Sequence, residues 1–220
     1  MAVISPSVLS ADYSKIFETI SSLEGKTESI HIDVMDDKFV PNYTLDRFNP
    51  EFVEKLKGRN IIKNVHLMVE DHLKWSKEFC EAGSDEVSFH FETGRTKEGI
   101  ELIKSYDVKA GLALKLATQP QQLEEFFPRL DFIVVMSIEP GFAGQSFKPE
   151  AVQRIKWLHE NYAKPYGGKI WVDGGVKMGI AKECAQAGAD VLVSANAIFK
   201  GPREGFLDNL KDLQQDAAVE

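Results

Sequence analysis

Disulfide frameworks, membrane-spanning runs and basic tracts are all missing from these 220 residues. There are only two cysteines, Cys80 in "KEFCEAG" and Cys184 in "AKECAQAG". Each lies near the C-terminal end of a helical pattern, so both read as reduced packing residues. No stretch approaches the roughly 18 apolar residues needed to span a bilayer. "MAVISPSVLSADYSK" enters a strand-like run without a basic leader, so no membrane partner is expected and the expected location is cytoplasmic. Acidic residues outnumber basic ones 34 to 26, for a formal charge of −8. With no Lys/Arg-rich run or basic aromatic stripe, nucleic acid is excluded as the main partner. Linkers and low-complexity segments are also missing, and residues 1–220 are expected to form a single domain.

What the chain does contain is an alternation. Strand-like runs occur at 3–9, 29–34, 61–69, 85–91, 108–114, 131–138, 169–173 and 190–195. Between them, "YSKIFETISSLEG", "LKWSKEFCEAG", "AVQRIKWLHENYA" and "GIAKECAQAG" carry helical apolar spacing, and most end at glycine. "EAGSDEVSF" and "QAGADVLVS" repeat one helix, Gly turn and strand module. Eight alternations in a chain of this length predict an α/β fold, a (β/α)₈ TIM barrel, in preference to an open doubly wound sheet.

In "SIHIDVMD" (29–36) a strand places His31, Asp33 and Met35 on one side and Ile30, Ile32 and Val34 on the other. An ordinary half-buried strand would show Lys, Glu or Thr outward; this one shows a ligand-capable pair. Function in such a barrel collects at the C-terminal ends of the strands. Reading those ends in order gives Ser7 and Ser10, His31 and Asp33, His66, His90, Met136 and Ser137, Asp173, and Ser194 to Asn196. Two imidazoles and two carboxylates, His31, His66, Asp33 and Asp173, make a ligand set for one divalent transition metal ion such as Zn²⁺, Fe²⁺, Mn²⁺ or Co²⁺.

The stretches "PSVLSAD", "HIDVMD…FVPN", "VHLMVE", "VMSIEPGFAGQSF" and "VDGGV", in this order along nearly the whole chain, closely resemble the ribulose-phosphate 3-epimerase family, metal-dependent sugar-phosphate epimerases on a TIM barrel. The resemblance implies that the metal sits among His31, Asp33, His66 and Asp173 and that the two aspartates are the acid/base pair. It also implies that Met35, Met68 and Met136 line the pocket, that Ser10 touches substrate, and that the chain forms a homo-oligomer, a dimer or larger. The chemistry agrees. Inverting a carbon beside a ketone needs one group to take its proton and another to return a proton on the opposite face, with positive charge to stabilise the enediolate between.

A phosphate site is expected from three loops. Gly141, Phe142, Ala143 and Gly144 follow the sixth strand, Gly174 and Gly175 the seventh, and Ala195 and Asn196 the eighth, where backbone N–H groups and a helix N-terminus can meet one anion. Here the chain departs from the family. It has Ala143 in a usual Gly-Phe-Gly-Gly, Ala195-Asn196 where Gly-Ser is usual, Asp37-Lys38 for Gly-His, and Leu116 for Pro. Segment 140–147 is expected to act as a lid. Glu92 alternates with His90 and shares its two readings, pocket lining or support; Lys38 is read as a solvated loop residue. His72 and His159, in helical segments, are expected to face solvent. The expected reaction is 3-epimerisation of a ketose phosphate, D-ribulose 5-phosphate to D-xylulose 5-phosphate, with a ketohexose phosphate such as allulose 6-phosphate as the close alternative. A silent sugar-phosphate-binding barrel is the alternative of another class. Decarboxylation by an Asp-x-Lys-x-x-Asp signature is disfavoured because the second strand ends Asp33-Val34-Met35-Asp36.

Overall fold

All eight expected strands form, and every one is buried along most of its length. A computed structural model describes residues 1–202 and 204–218. The strands are β1 (Val3–Pro6), β2 (Ser29–Met35), β3 (Ile62–Met68), β4 (Glu86–His90), β5 (Lys109–Leu114), β6 (Phe132–Met136), β7 (Lys169–Asp173) and β8 (Val191–Ser194). They pair in parallel in the order β1-β8-β7-β6-β5-β4-β3-β2. The remaining seam, between β1 and β2, is closed by a parallel bridge between Ser7 and His31 and by a Ser29 Oγ to Ser5 Oγ hydrogen bond of 2.8 Å. The helices are α1 (Ile16–Leu23), α2 (Pro50–Glu54), α3 (His72–Glu81), α4 (Thr96–Lys104), α5 (Glu150–Leu158), α6 (Lys164–Tyr166), α7 (Ile180–Gln186), α8 (Asn196–Phe199) and α9 (Phe206–Ala217). Between β5 and β6 the connection is a 3₁₀ segment, Pro120–Arg129, with a proline at its start and another inside. A proline inside a helix removes an N–H donor and crowds the preceding turn, which disfavours a regular α-helix there.

Alternation along the strands separates two cores. Ile30, Ile32, Val65, Leu67, Val87, Ile133, Val135, Ile170, Val172 and Leu192 point outward and pack with the helices. Inside, the strands contribute two unlike halves. Ala113, Phe132, Val134, Met136, Trp171, Val191 and Val193 form an apolar cluster on the β5–β8 side. Ser5, Ser29, His31, Asn64, Glu86, Ser88 and His90 are buried on the β1–β4 side. The polar face of "SIHIDVMD" is therefore the inside of the barrel.

The repeated helix, Gly and strand module has a physical reason. Gly83 and Gly188 adopt φ of 95° and 103°, a left-handed conformation that ends the helix with no Cβ penalty. The aspartate that follows each, Asp85 or Asp190, accepts the backbone N–H of Lys63 or Ile170 on the neighbouring strand at 2.8 Å. Asp131 does the same for Ala110 at 2.8 Å. Each aspartate thereby fixes the start of its own strand against the preceding one.

His72 is corrected from a solvent-facing to a buried position. Its ring stacks on Phe89 at 4.2 Å, and its Nδ1 lies 3.1 Å from Thr93 Oγ1. Burial pushes its pKa down to about 4. His159 is half-buried against Gly188 and does not face solvent freely. The helical spacing that placed both residues outward did not account for the neighbouring βα unit covering them.

Inside the barrel Gly111 pairs with Phe132, and a Cβ at Gly111 would run into the Phe132 ring, itself packed 5.5 Å from Trp171. Gly111→Ala is expected to destabilise the fold by about 1–3 kcal/mol through overpacking. At about 2–4 °C per kcal/mol for a chain of this size, thermal denaturation should show a drop of several degrees. An unchanged melting temperature would mean that the ring has room to move.

Candidate active site and metal centre

Parallel pairing brings the expected ligands to one height. The β2–β3 register sets Asp33 beside His66, and the β6–β7 register sets Met136 beside Asp173. His31 Nε2 lies 3.4 Å from Asp33 Oδ1 and 3.7 Å from Asp173 Oδ2. His66 Nδ1 lies 3.6 and 3.3 Å from the same two oxygens. All four donor atoms fall within 4.8 Å of one another. These separations are long for hydrogen bonds, and His31 Nε2 and His66 Nδ1 are buried with no hydrogen-bond partner among the described residues. They match the edges of a coordination shell, since donors about 2.0–2.2 Å from a cation stand about 3–4 Å apart. The residues present fit a divalent metal ion.

Outer hydrogen bonds aim both rings. Asn64 Nδ2 donates to Glu86 Oε2 at 3.0 Å, so Asn64 Oδ1 faces His31 Nδ1 at 2.8 Å as an acceptor. His31 therefore carries a proton on Nδ1. Its Nε2 is turned to the cluster. Glu86 is held in turn by Lys109 Nζ at 3.0 Å. On the other side His66 Nε2 lies 3.0 Å from His90 Nε2, and His90 Nδ1 lies 3.2 Å from Glu92 Oε2. Burial lowers the His90 pKa to about 4, against the raising pull of Glu92, which keeps the ring neutral. With His90 Nδ1–H donating to Glu92, its Nε2 accepts from His66, and His66 Nδ1 is left facing the carboxylates. Burial acts to raise Glu92, but contacts from His90 and Thr118 outweigh it and bring its pKa down to about 2.

The cluster attracts positive charge. Burial alone would lower the His31 pKa, yet the charge of Asp33 and the contact with Asp173 raise it to about 10. His66 is raised by the same balance. Both aspartates are lowered against the opposing effect of burial, by the imidazoles beside them. The carboxylates differ in setting. Asp33 Oδ2 accepts the Ser7 hydroxyl at 2.6 Å. Asp173 is the more exposed of the two, and Ser137 holds its backbone carbonyl at 2.8 Å through N–H and 2.9 Å through Oγ.

A cavity of about 540 Å³ opens above the cluster. Asp33 and Asp173 form part of its lining with Met35, Met68 and Met136, and Gly141, Phe142, Ala143, Gly144, Gly174, Gly175, Ala195 and Asn196 border it as well. Segment 140–147 is one wall, tied to the β2 loop by Asn42 Nδ2 donating to Gly141 O at 2.6 Å. Helix α8, which follows Ala195, is a single turn, so its contribution is individual N–H groups and not a helix dipole. Ser10 does not border the cavity; its hydroxyl donates to Asn196 Oδ1 at 2.7 Å. Lys38 is exposed and away from the cavity, and His90 with Glu92 supports His66 from behind. Sequence reasoning missed Asn64, Glu86 and the Ser7 contact. Asn64 precedes His66 by two residues, the same alternation as His31 and Asp33, and was detectable by that signal.

Among the described residues no helix is long and apolar enough to cross a membrane. The model of the ribulose-phosphate 3 epimerase family matches residues 3–199. Ribulose-phosphate 3-epimerase of Escherichia coli strain K12 is 36% identical over 205 residues, covering 91% of this chain and 90% of that protein. The enzyme of that name from Chlamydia muridarum is 34% identical over 204 residues, covering 90% and 88%. Among solved structures, 3-hexulose-6-phosphate synthase from Salmonella typhimurium superposes with a TM-score of 0.73 at 14% identity, over 98% of this chain and 98% of that one, which is a likeness of fold. With the family match running from the first strand through α8 and relatives spanning about nine-tenths of the chain, this protein belongs to the ribulose-phosphate 3-epimerase family.

Proposed function

We propose that this chain is a metal-dependent 3-epimerase that interconverts D-ribulose 5-phosphate and D-xylulose 5-phosphate. The observation that carries this reading is the pair of carboxylates, Asp33 and Asp173, contributed by separate strands to the floor of one cavity and facing the same two imidazole nitrogens. His31, Asp33, His66 and Asp173 would hold the cation. When bound, it supplies positive charge that stabilises the enediolate.

The protein's own groups do the rest. One aspartate takes the C3 proton and the other returns a proton from the opposite side, with roles exchanging when the reaction reverses. Ser7 donates to Asp33 and favours its ionised form, whereas Asp173 Oδ1 has no hydrogen-bond partner among the described residues. That difference in setting is what a two-carboxylate acid/base pair needs. Met35, Met68 and Met136 supply a polarizable wall without exchangeable protons. The loop at 140–147 serves as the lid that keeps water from the intermediate, and N–H groups of the loops after β6, β7 and β8 hold the phosphate. The metal is Zn²⁺, Fe²⁺, Mn²⁺ or Co²⁺. Free buried cysteines fit a reducing cytoplasm. Assembly as a dimer or larger oligomer, which the family resemblance supports, leaves the chemistry within one chain, because all four ligands are its own.

Chelation should abolish turnover of D-ribulose 5-phosphate, and one of these four cations should restore it. In the reloaded enzyme, Asp173→Asn should abolish epimerisation and solvent deuterium exchange at C3 in at least one epimer. Wild-type exchange in both epimers would overturn the acid/base assignment. A panel including ketohexose phosphates identifies the preferred chain length.

Asn64→Ala should remove the partner of His31 Nδ1 and lower metal affinity about 10- to 100-fold. Competition against a chromogenic chelator measures this, with circular dichroism to show that the barrel persists. Unaltered affinity would mean that His31 is aimed by packing alone.

A further inference from the structure

We infer that Asn196 is a specificity-determining residue whose side-chain amide reads the anionic end of the ligand, and that Ser10 is the positioning residue that aims it. This deepens the proposed function and rests on it for the identity of the ligand as a sugar phosphate.

Three observations carry the inference. The Ser10 hydroxyl donates to Asn196 Oδ1 at 2.7 Å, which consumes the acceptor side of the amide and leaves its NH₂ as a donor. Asn196 borders the cavity and Ser10 does not, so of the two it is Asn196 that can meet a ligand there. The NH₂ lies over Gly144 of the lid loop, so close that a Cβ at residue 144 would meet Nδ2. No protein group among the described residues accepts from this nitrogen. Gly144 has φ of 88°, which together with the lack of a side chain lets the loop approach.

A donor-only NH₂ with no protein acceptor among the described residues, in a cavity whose lining also includes Gly174, Gly175, Lys177 and Lys200, suits a ligand group that offers oxygens and negative charge. A phosphate has both. The side chain thus replaces the serine hydroxyl usual at this position, with an added property: a short Ser side chain presents its donor from its own Cβ, whereas the Asn amide is steered by a residue from the β1 loop. Selection of phosphorylated over unphosphorylated ligands then depends on the contact between two loops that meet only at the top of the barrel.

A double-mutant cycle on the full chain tests this, read first by calorimetric binding of inorganic phosphate. Asn196→Ala and Ser10→Ala should each weaken binding, by about 10- to 100-fold for the charge-assisted contact of Asn196 and by no more than that for Ser10. Once Asn196 is Ala, Ser10→Ala should have no further effect. Ser10→Thr, which keeps the hydroxyl, should retain affinity. Asn196→Asp, equal in shape but a carboxylate, should bind phosphate more weakly than Asn196→Ala. In turnover of D-ribulose 5-phosphate the same variants should raise KM with kcat within about twofold, because phosphate is held alike in ground and transition states.

Additive effects of the two alanine changes would show that Ser10 touches the ligand itself, and unchanged binding in Asn196→Ala would show that the amide is only lining. Either result overturns the inference, as does a wild-type protein that binds no phosphate. If the phosphate cycle behaves as stated and no ketose phosphate is turned over, the proposed reaction fails while the role of Asn196 stands.

Discussion

A polar half-barrel sealed from water is the constraint on which the site depends. On the β1–β4 side the interior is filled by serines, histidines, an asparagine and a glutamate, all buried. An unpaired buried polar group costs about 1–3 kcal/mol, so each must find a partner in a space with no solvent to supply one. Most do so laterally, Ser29 with Ser5, His31 with Asn64 and Glu86, and His66 with His90 and Glu92. The two ring nitrogens left over point to the same place, between two carboxylates. Convergence of the unsatisfied groups therefore follows from satisfaction of the others. The apolar half, with Phe132 and Trp171 packed at 5.5 Å, provides the wall against which β7 carries Asp173 into position.

Electrostatics then decides what the convergence can hold. Two buried carboxylates repel each other, and burial by itself would protonate them. Here the imidazoles reverse that outcome, lowering both aspartates while their own proton affinities rise. A pocket that draws positive charge so strongly, with four donor atoms in an arrangement of metal-ligand dimensions, is preorganised for a cation, and little of this pull is lost to salt because the groups are out of solvent. The same two aspartates are not equivalent. Ser7 anchors one, and the other is the more exposed, so a site suited to a cation also has the asymmetry that proton transfer requires.

Much of this was legible in the sequence because β-strand periodicity is a short-range rule and a (β/α)₈ barrel gathers the C-terminal ends of all its strands on one face. The alternation of His31, Asp33 and Met35 against Ile30, Ile32 and Val34 already separated chemistry from core, and the strand ends supplied His66 and Asp173. What was not legible depended on lateral neighbours. Register pairs His31 with Asn64, and no spacing within either strand announces that contact. His72 carried the helical signal of an exposed residue, but the packing of α3 and α4 against β4 buries it on Phe89. Ser10 and Asn196 are 186 residues apart and meet only because the first and eighth strands are neighbours in a closed barrel. Reading each loop separately could not announce that hydrogen bond.

The departures from the family pattern fall where the physics tolerates them. A cluster of four ligands is all-or-none: removing one donor leaves the other buried charges uncompensated and degrades both metal affinity and acid/base chemistry. An anion held by N–H groups from several loops loses only a fraction of its affinity when a single hydroxyl is replaced. The chain keeps His31, Asp33, His66 and Asp173 intact and varies Ala143, Ala195 and Asn196. Substitution at the anionic end can therefore retune which ligand is held without disturbing how its C3 proton is moved. At Asn196 the departure has a visible local consequence: its amide oxygen accepts from the Ser10 hydroxyl and its nitrogen lies over Gly144, which has no side chain to block it. The contacts around the departing residues are thus made between loops, whereas the four-ligand cluster is made between strands.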